Sequence, residues 1–297
     1  MLQDLLTETR NPASSVIDRL STAEMLAVIN QADREIPNAV AKVIPEITKA
    51  VDAIVDRLRK QGRLFYIGAG TSGRLGVLDA SECPPTFNVP ASLVQGIIAG
   101  GDRALRNSVE RAEDDPEQGR KDLEARGFST GDVLVGIAAS GRTPYVLGAM
   151  AYAESLGALT IGLSCTPASK VARAAEIAIT PVPGPEIITG STRMRAGTAT
   201  KLVLNMISTA VMIRLGYVYG NLMVNVQPTN GKLADRACRI IATIAGISNE
   251  EAGRLLDESG SVRVAIIMHK FGIGRSDAEA RLNAAQGSLR AALGENE

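Results

Sequence analysis

The chain has 297 residues, enough for one large α/β domain or a smaller domain with attachments. Lys plus Arg and Asp plus Glu number 32 each, so no global field draws the chain to nucleic acid or to an anionic membrane. A single histidine, His269, excludes a two- or three-His zinc site within one chain and argues against Ser-His-Asp and Cys-His catalysis. With no Trp, four Phe and five Tyr, base-stacking surfaces are poorly supplied. Acid–base chemistry therefore falls to carboxylates, Lys, Tyr or Cys.

The N-terminal string MLQDLLTETRNP carries acids and lacks a basic region ahead of an apolar core, so it does not read as a secretory signal. Residues 21–24 (STAE) form a capping-box pattern ahead of a helix. From Ile36 to Leu58, apolar residues recur at helical spacing, which predicts one amphipathic helix with Pro37 near its start and a kink at Pro45.

Beyond residue 60 the period changes. Short apolar runs at 63–68 (RLFYIG), 91–98 (ASLVQGII), 133–138 (VLVGIA), 158–164 (ALTIGLS) and 177–182 (IAITPV) have the length of buried strands. Helical patterns separate most of them. The reading is α/β: a doubly wound, mainly parallel five-stranded sheet with helices on both faces. The apolar stretch 202–224 is interrupted by Asn205, Arg214 and Asn221. A charge inside a membrane span is costly, so it reads as a buried helix, a candidate for a subunit interface, followed by a loop. After a turn cluster at 226–231, helices are expected at 231–244, 248–257, 260–271 and 275–293. The expected division is 1–54 as N-terminal helices, 55–225 as the sheet domain and 226–297 as a C-terminal helical module. Cys83, Cys165 and Cys238 are widely spaced and form no CxxC, so they read as thiols in a reducing compartment, and a cytoplasmic location is expected.

Three loops carry the chemistry. Residues 68–74 (GAGTSGR) sit where a strand meets a helix, and 138–144 (AASGRTP) follow a later strand. Residues 189–193 (TGSTR) precede the helix that runs through 196–215. Hydroxyls, glycines and free N–H groups at helix starts suit an anion. The first loop contains GxGxxG, but no acid stands about 20 residues on, and no GxxxxGK[ST] exists; dinucleotide and nucleoside triphosphate readings lack support. Three such loops in one α/β domain favour a phosphorylated small molecule.

GAGTSGR and ASGRT, with the β/α pattern between them, resemble the sugar isomerase (SIS) domain. Further strings, at 9–12 (TRNP), 79–85 (DASECPP), 109–114 (VERAED) and 190–201 (GSTRMRAGTATK), resemble the N-acetylmuramic acid 6-phosphate etherase family from about residue 9 to 230. The resemblance implies an SIS fold, a homodimer, and a lyase without metal or organic cofactor that acts on a phosphorylated amino sugar of cell-wall recycling. It implies Glu82 and Glu113 as the catalytic pair: Glu82 serving the lactyl oxygen and the returning water, Glu113 as base at C2. It carries over Thr71, Ser72, Ser140, Gly141 and Thr143 as phosphosugar ligands, with Ser191 and Thr192 beside them. Arg142 departs from the acidic residue of many SIS loops, though it suits a doubly anionic ligand. Arg193 and Arg195 suit bidentate carboxylate recognition or plain ion pairs. Lys201 could hold an aldehyde, a carboxylate or a helix end, and His269 reads as a helix-end residue of the tail.

Pro84 and Pro116 should end helices just after each glutamate, where the helix dipole would raise a carboxyl pKa. Phosphate loops sit at helix starts, and a ten-residue helix spans about 15 Å. Both glutamates could therefore meet one sugar only if the first helix is short or bent, or if a partner subunit contributes a group near the interface. The alternative readings are an SIS-fold phosphosugar-binding regulator, which has no chemical need of the glutamates, or a phosphosugar isomerase.

Overall fold

The computed structural model describes residues 8–109, 111–226 and 231–295. They fall into two compact units, one reaching from residue 8 to 81 and from 91 to 208, the other from 82 to 90 and from 209 to 295.

In the first unit, β1 (Leu64–Gly68), β2 (Val94–Ile98), β3 (Val133–Ile137), β4 (Leu159–Leu163) and β5 (Ile177–Ile179) form one sheet in the order β2-β1-β3-β4-β5. Every pair is parallel, and the first three pairs end level, with Gly68 opposite both Ile98 and Ile137, and Ile137 opposite Leu163. β1, β3 and β4 are buried at every residue, which is why their sequences are nearly continuous apolar runs rather than alternating ones. The expected strands and the doubly wound sheet are present.

Ser21 and Glu24 cap α1 (Thr22–Asp33) reciprocally, as the sequence pattern requires. The next stretch departs from expectation. It forms two helices, α2 (Ile36–Ala41) and α3 (Ile44–Arg59), and Pro45 opens the second instead of kinking a single helix. Proline lacks an N–H and is pre-set for the first turn, so starting a helix costs less than interrupting one. The apolar face of α3 (Ile47, Ala50, Val51, Ile54, Val55, Leu58) is buried, and α3 packs against β5.

After β1, α4 runs from Gly70 to Phe87 and contains Pro84 and Pro85. It does not end after Glu82, so the helix-end setting expected for that glutamate is absent. Between β2 and β3 lie the short α5 (Arg103–Arg106) and α6 (Pro116–Ala125). Pro116 is the first residue of α6, with Asp115 as its N-cap, accepting from Glu117 N at 3.0 Å and Gln118 N at 3.1 Å. The chain thus starts a helix at Pro116 rather than ending one, and Glu113 lies in a one-turn 3₁₀ segment, Ala112–Asp114. α6 lies close on α7 (Pro144–Ser155): Cβ atoms at Gly119 and Gly148 would overlap the backbone carbonyls of Tyr145 and Pro116. The Tyr145 hydroxyl donates to Asp122 at 2.5 Å across the same seam.

α8 (Lys170–Arg173) separates β4 from β5. The apolar stretch beginning at 202 is part of α9 (Arg195–Arg214), with Val203, Leu204 and Ile207 buried. It is long and apolar enough to cross a membrane by composition, yet its apolar window is 56% buried inside the protein. The expected loop after it is a small antiparallel hairpin, β6 (Val218–Tyr219) with β7 (Leu222–Met223).

The second unit gathers α10 (Gly231–Ala245), α11 (Asn249–Ser259), α12 (Val262–Phe271), α13 (Arg275–Ala284) and α14 (Leu289–Ala292). Their shared core includes Ile241, Leu256, Ala265, Ile267 and Leu289. The single helix expected at 275–293 breaks at Gln286 and Gly287, both with positive φ (52° and 81°). His269 is exposed near the end of α12, 4.0 Å from Glu251. Buried Asn225 fastens this unit, donating to Phe87 O at 2.6 Å and accepting from Arg263 Nη2 at 2.5 Å.

Candidate functional site

The level strand ends bring the first two loops together at the carboxyl edge of the sheet. The sheet order reverses between β1 and β3, so connections leave in opposite directions and open a crevice there, where open α/β sheets take ligands. The first loop is tightly built. Cβ atoms at Gly68 and Gly73 would come within 2.7 Å of each other's backbone, and Gly70 has φ +52°. Half-buried Thr71 and Ser72 follow in the first turn of α4, whose leading N–H groups have no acceptor within the helix.

The second loop faces it from β3. Gly141 is buried with φ +65°, pressed against Ser169. Ser169 caps α8 and is 3.0 Å from the Ser164 hydroxyl, so the β4 loop supports the β3 loop. Ser140 and Thr143 are half-buried. Thr143 occupies the N-cap position of α7 without making a side-chain cap bond, which leaves its hydroxyl for a ligand.

The third loop differs. Ser191 and Thr192 are half-buried before α9, and Thr71 lies 3.4 Å from where a Gly197 Cβ would stand. The helix start itself is occupied: buried Glu186 accepts from Arg195 N and Ala196 N, both at 2.9 Å. An internal carboxylate thus replaces a bound anion there. Buried Arg195 is also committed, donating to Pro185 O at 3.1 Å and to Glu35 at 3.2 Å. It does not serve as a free carboxylate receptor. Asn11 of the N-terminal TRNP string and Ser14 just after it brace this region, donating to Pro185 O at 3.2 Å and to Ile187 O at 2.7 Å.

Glu113 is exposed and lines a cavity of about 380 Å³ together with Ala69, Gly70, Arg74, Ser108 and Arg111. It therefore faces the first loop from within its own chain, because it follows β2 at the same edge of the sheet. Glu82 is exposed, twelve residues along α4 from Gly70, a helical rise of about 18 Å. One turn earlier on α4, Asp79 is buried and accepts from Asn205 at 2.6 Å and Ser208 at 3.1 Å. Burial raises its carboxyl above the usual range, against the pull of these bonds, Tyr66 and Lys201. Sequence reasoning passed over Arg74, Arg111 and Glu186. GAGTSGR already displays Arg74 at a loop end, but nothing in the string shows which way it turns.

Residues 46–154 match the family model described as the glucokinase regulatory protein N-terminal SIS domain. The chain is 55% identical to the N-acetylmuramic acid 6-phosphate etherase of Pectobacterium atrosepticum, covering 98% of this chain and 97% of that protein. The chain belongs to the N-acetylmuramic acid 6-phosphate etherase family. It is 54% identical to the family member of Caldanaerobacter subterraneus subsp. tengcongensis, over 98% of this chain and 96% of the other. Among solved structures, a phosphoheptose isomerase from Francisella tularensis superposes with a TM-score of 0.50 at 18% identity, covering 65% of this chain and all of that one, a likeness of fold.

Proposed function

We propose that this enzyme cleaves the D-lactyl ether of N-acetylmuramic acid 6-phosphate, giving N-acetylglucosamine 6-phosphate and D-lactate. The observation that carries the reading is Glu113 facing the GAGTSGR loop across one cavity, on a chain 55% identical over nearly its whole length to an etherase. Thr71, Ser72, Ser140, Gly141 and Thr143 hold the phosphosugar in the β1/β3 crevice, and Ser191 and Thr192 close it from the third loop.

The reaction is an elimination followed by hydration. In the ring-opened sugar the C2 proton is α to the C1 aldehyde, so a carboxylate base can remove it. The C2–H pair becomes the C2=C3 double bond as the C3–O bond breaks, and an acid protonates the departing lactate oxygen. Water then adds at C3 and a proton returns to C2, so the net change is ether plus water to alcohol plus D-lactate. Glu113 is the base at C2. Glu82 delivers the proton to the lactyl oxygen and activates the returning water. The 18 Å rise along α4 leads us to place Glu82 of one subunit at the site of its partner in a cytoplasmic homodimer. This lyase would act in cell-wall amino sugar recycling.

The test is release of D-lactate from N-acetylmuramic acid 6-phosphate in solvent ²H₂O and H₂¹⁸O. Deuterium at C2 and ¹⁸O at C3 of the product are expected; lactate release with neither label refutes elimination–hydration. A protein that binds the sugar phosphate but liberates no lactate is a phosphosugar-binding regulator instead.

A further inference from the structure

The substrate proposed above carries two anions, a phosphate and the lactyl carboxylate, and the hydroxyl loops account for one. We infer that Arg74 is the specificity-determining residue that receives the lactyl carboxylate, an assignment resting on the etherase reading.

Three observations converge on it. The cavity beside the first loop lies on its β2 side, whereas Ser140, Gly141 and Thr143 stand on its β3 side, because β1 is flanked by β2 and β3. The two ends of the substrate therefore have separate places at one sheet edge. The cavity brings Glu113 against the ligand, and a carboxylate base beside a carboxylate leaving group repels it unless a cation stands between them. Arg74 is half-buried and already oriented. Its Nε donates to Leu105 O at 3.2 Å, which fixes the guanidinium plane while the two terminal nitrogens remain for a bidentate carboxylate.

The other cations are less suited. Arg111 also lines the cavity but is exposed, with backbone φ +62°. Arg195 is committed to Glu35 and Pro185. Arg142 and Arg193 are exposed on the second and third loops, away from this cavity.

The experiment compares Arg74→Gln and Arg74→Lys with the parent protein by three readouts: kcat and KM for N-acetylmuramic acid 6-phosphate, inhibition by N-acetylglucosamine 6-phosphate, and inhibition by D-lactate. A lost charge-assisted bidentate pair should raise KM about 10- to 100-fold for Arg74→Gln. D-lactate inhibition should fall in parallel, while inhibition by N-acetylglucosamine 6-phosphate stays within about twofold. Arg74→Lys should recover part of the loss, since it keeps the charge without the fork. Equal weakening toward both sugar phosphates, or no change in either, overturns the assignment. Misfolding of Arg74→Gln, seen as a lost thermal transition, passes the decision to Arg74→Lys by the same ratio of constants. A parent protein that releases no D-lactate overturns the etherase reading itself, and the assignment falls with it.

Discussion

Gly119→Ala tests whether the seam between α6 and α7 holds Glu113 in place. A Cβ at Gly119 overlaps the carbonyl oxygen of Tyr145 and lies 3.3 Å from Ala149 N. Both are backbone atoms, so no rotamer change relieves the contact, and the helices must separate by about 1 Å. The Asp122–Tyr145 hydrogen bond and the fully buried Tyr145 ring resist that movement. Overpacking of this kind costs about 1–3 kcal/mol, and the better helix propensity of Ala returns at most about 1 kcal/mol. A net loss of about 1–2 kcal/mol should lower Tm by roughly 2–4 °C per kcal/mol. The functional effect should be larger. α6 begins at Pro116, three residues after Glu113, so a displaced helix start carries the proposed base with it. A misplacement of about 1 Å can cost about 100-fold in turnover. The assays are thermal denaturation and D-lactate release. Gly253→Ala on α11 is the matched control, since its Cβ meets only Cys238 Sγ at 3.8 Å; it should hold or raise Tm without changing turnover. Parent-like turnover and melting for Gly119→Ala would refute the reasoning.

The remaining predictions concern single groups. Glu113→Gln and Glu82→Gln should each depress lactate release by several orders of magnitude while N-acetylglucosamine 6-phosphate still binds, which calorimetry can read; loss of binding with activity argues for a structural role instead. Gly141→Ala meets both a positive φ and the Ser169 side chain, and should weaken phosphosugar binding at least about tenfold because the second loop must move. Asp132 is buried and accepts from Arg63 and Ser129 through backbone and side-chain donors. Burial pushes its carboxyl up, but those bonds outweigh it and hold the pKa below the ordinary aspartate value, so its stabilisation is present above that ordinary value and lost as pH falls through the folded one. Asp132→Asn should cost about 3 kcal/mol at neutral pH and flatten the acid limb of a denaturation profile; an unchanged acid limb contradicts this. Burial pushes the Cys165 thiol up to about 12, so at pH 8 a thiol reagent should label half-buried Cys238 well ahead of it, as peptide mapping would show.

The sheet was legible because its information is local. A parallel strand covered on both faces must be apolar at every position, and 64–68, 133–137 and 159–163 are. The capping box at Ser21 and the Ser248 cap of α11 were legible for the same reason, since each lies within four residues. Proline was harder to place. The same residue ends one helix or begins the next, and a side-chain cap marks the start at Pro116 but not at Pro45, where Val43 supplies none. At Pro116 the Asp115 carboxylate decides for a start, and at Pro45 a first-turn position does the same. At Pro84 and Pro85 the helix simply continues, because tertiary context overrides a local cost of about 3 kcal/mol.

That ambiguity bears directly on the two glutamates. Reading Pro116 as a helix end puts Glu113 at the edge of the sheet remote from the loops, so that both glutamates meet one sugar only with a short or bent first helix or with a group from a partner subunit. With Pro116 as a helix start, Glu113 belongs to the connection that leaves β2, and the level register of β1 and β2 delivers it to the first loop without any partner. The proposed contribution of a second subunit then narrows to Glu82, which α4 carries away from Gly70 at about 1.5 Å per residue. An obligate shared site makes a specific demand: mixing Glu82→Gln subunits with Glu113→Gln subunits should regenerate sites that hold one intact copy of each glutamate. Random exchange into dimers would restore up to about a quarter of parental turnover, since half the dimers are mixed and one of their two sites is intact. Lactate release that stays at the level of the separate variants after verified subunit exchange refutes the shared site and returns both glutamates to one chain.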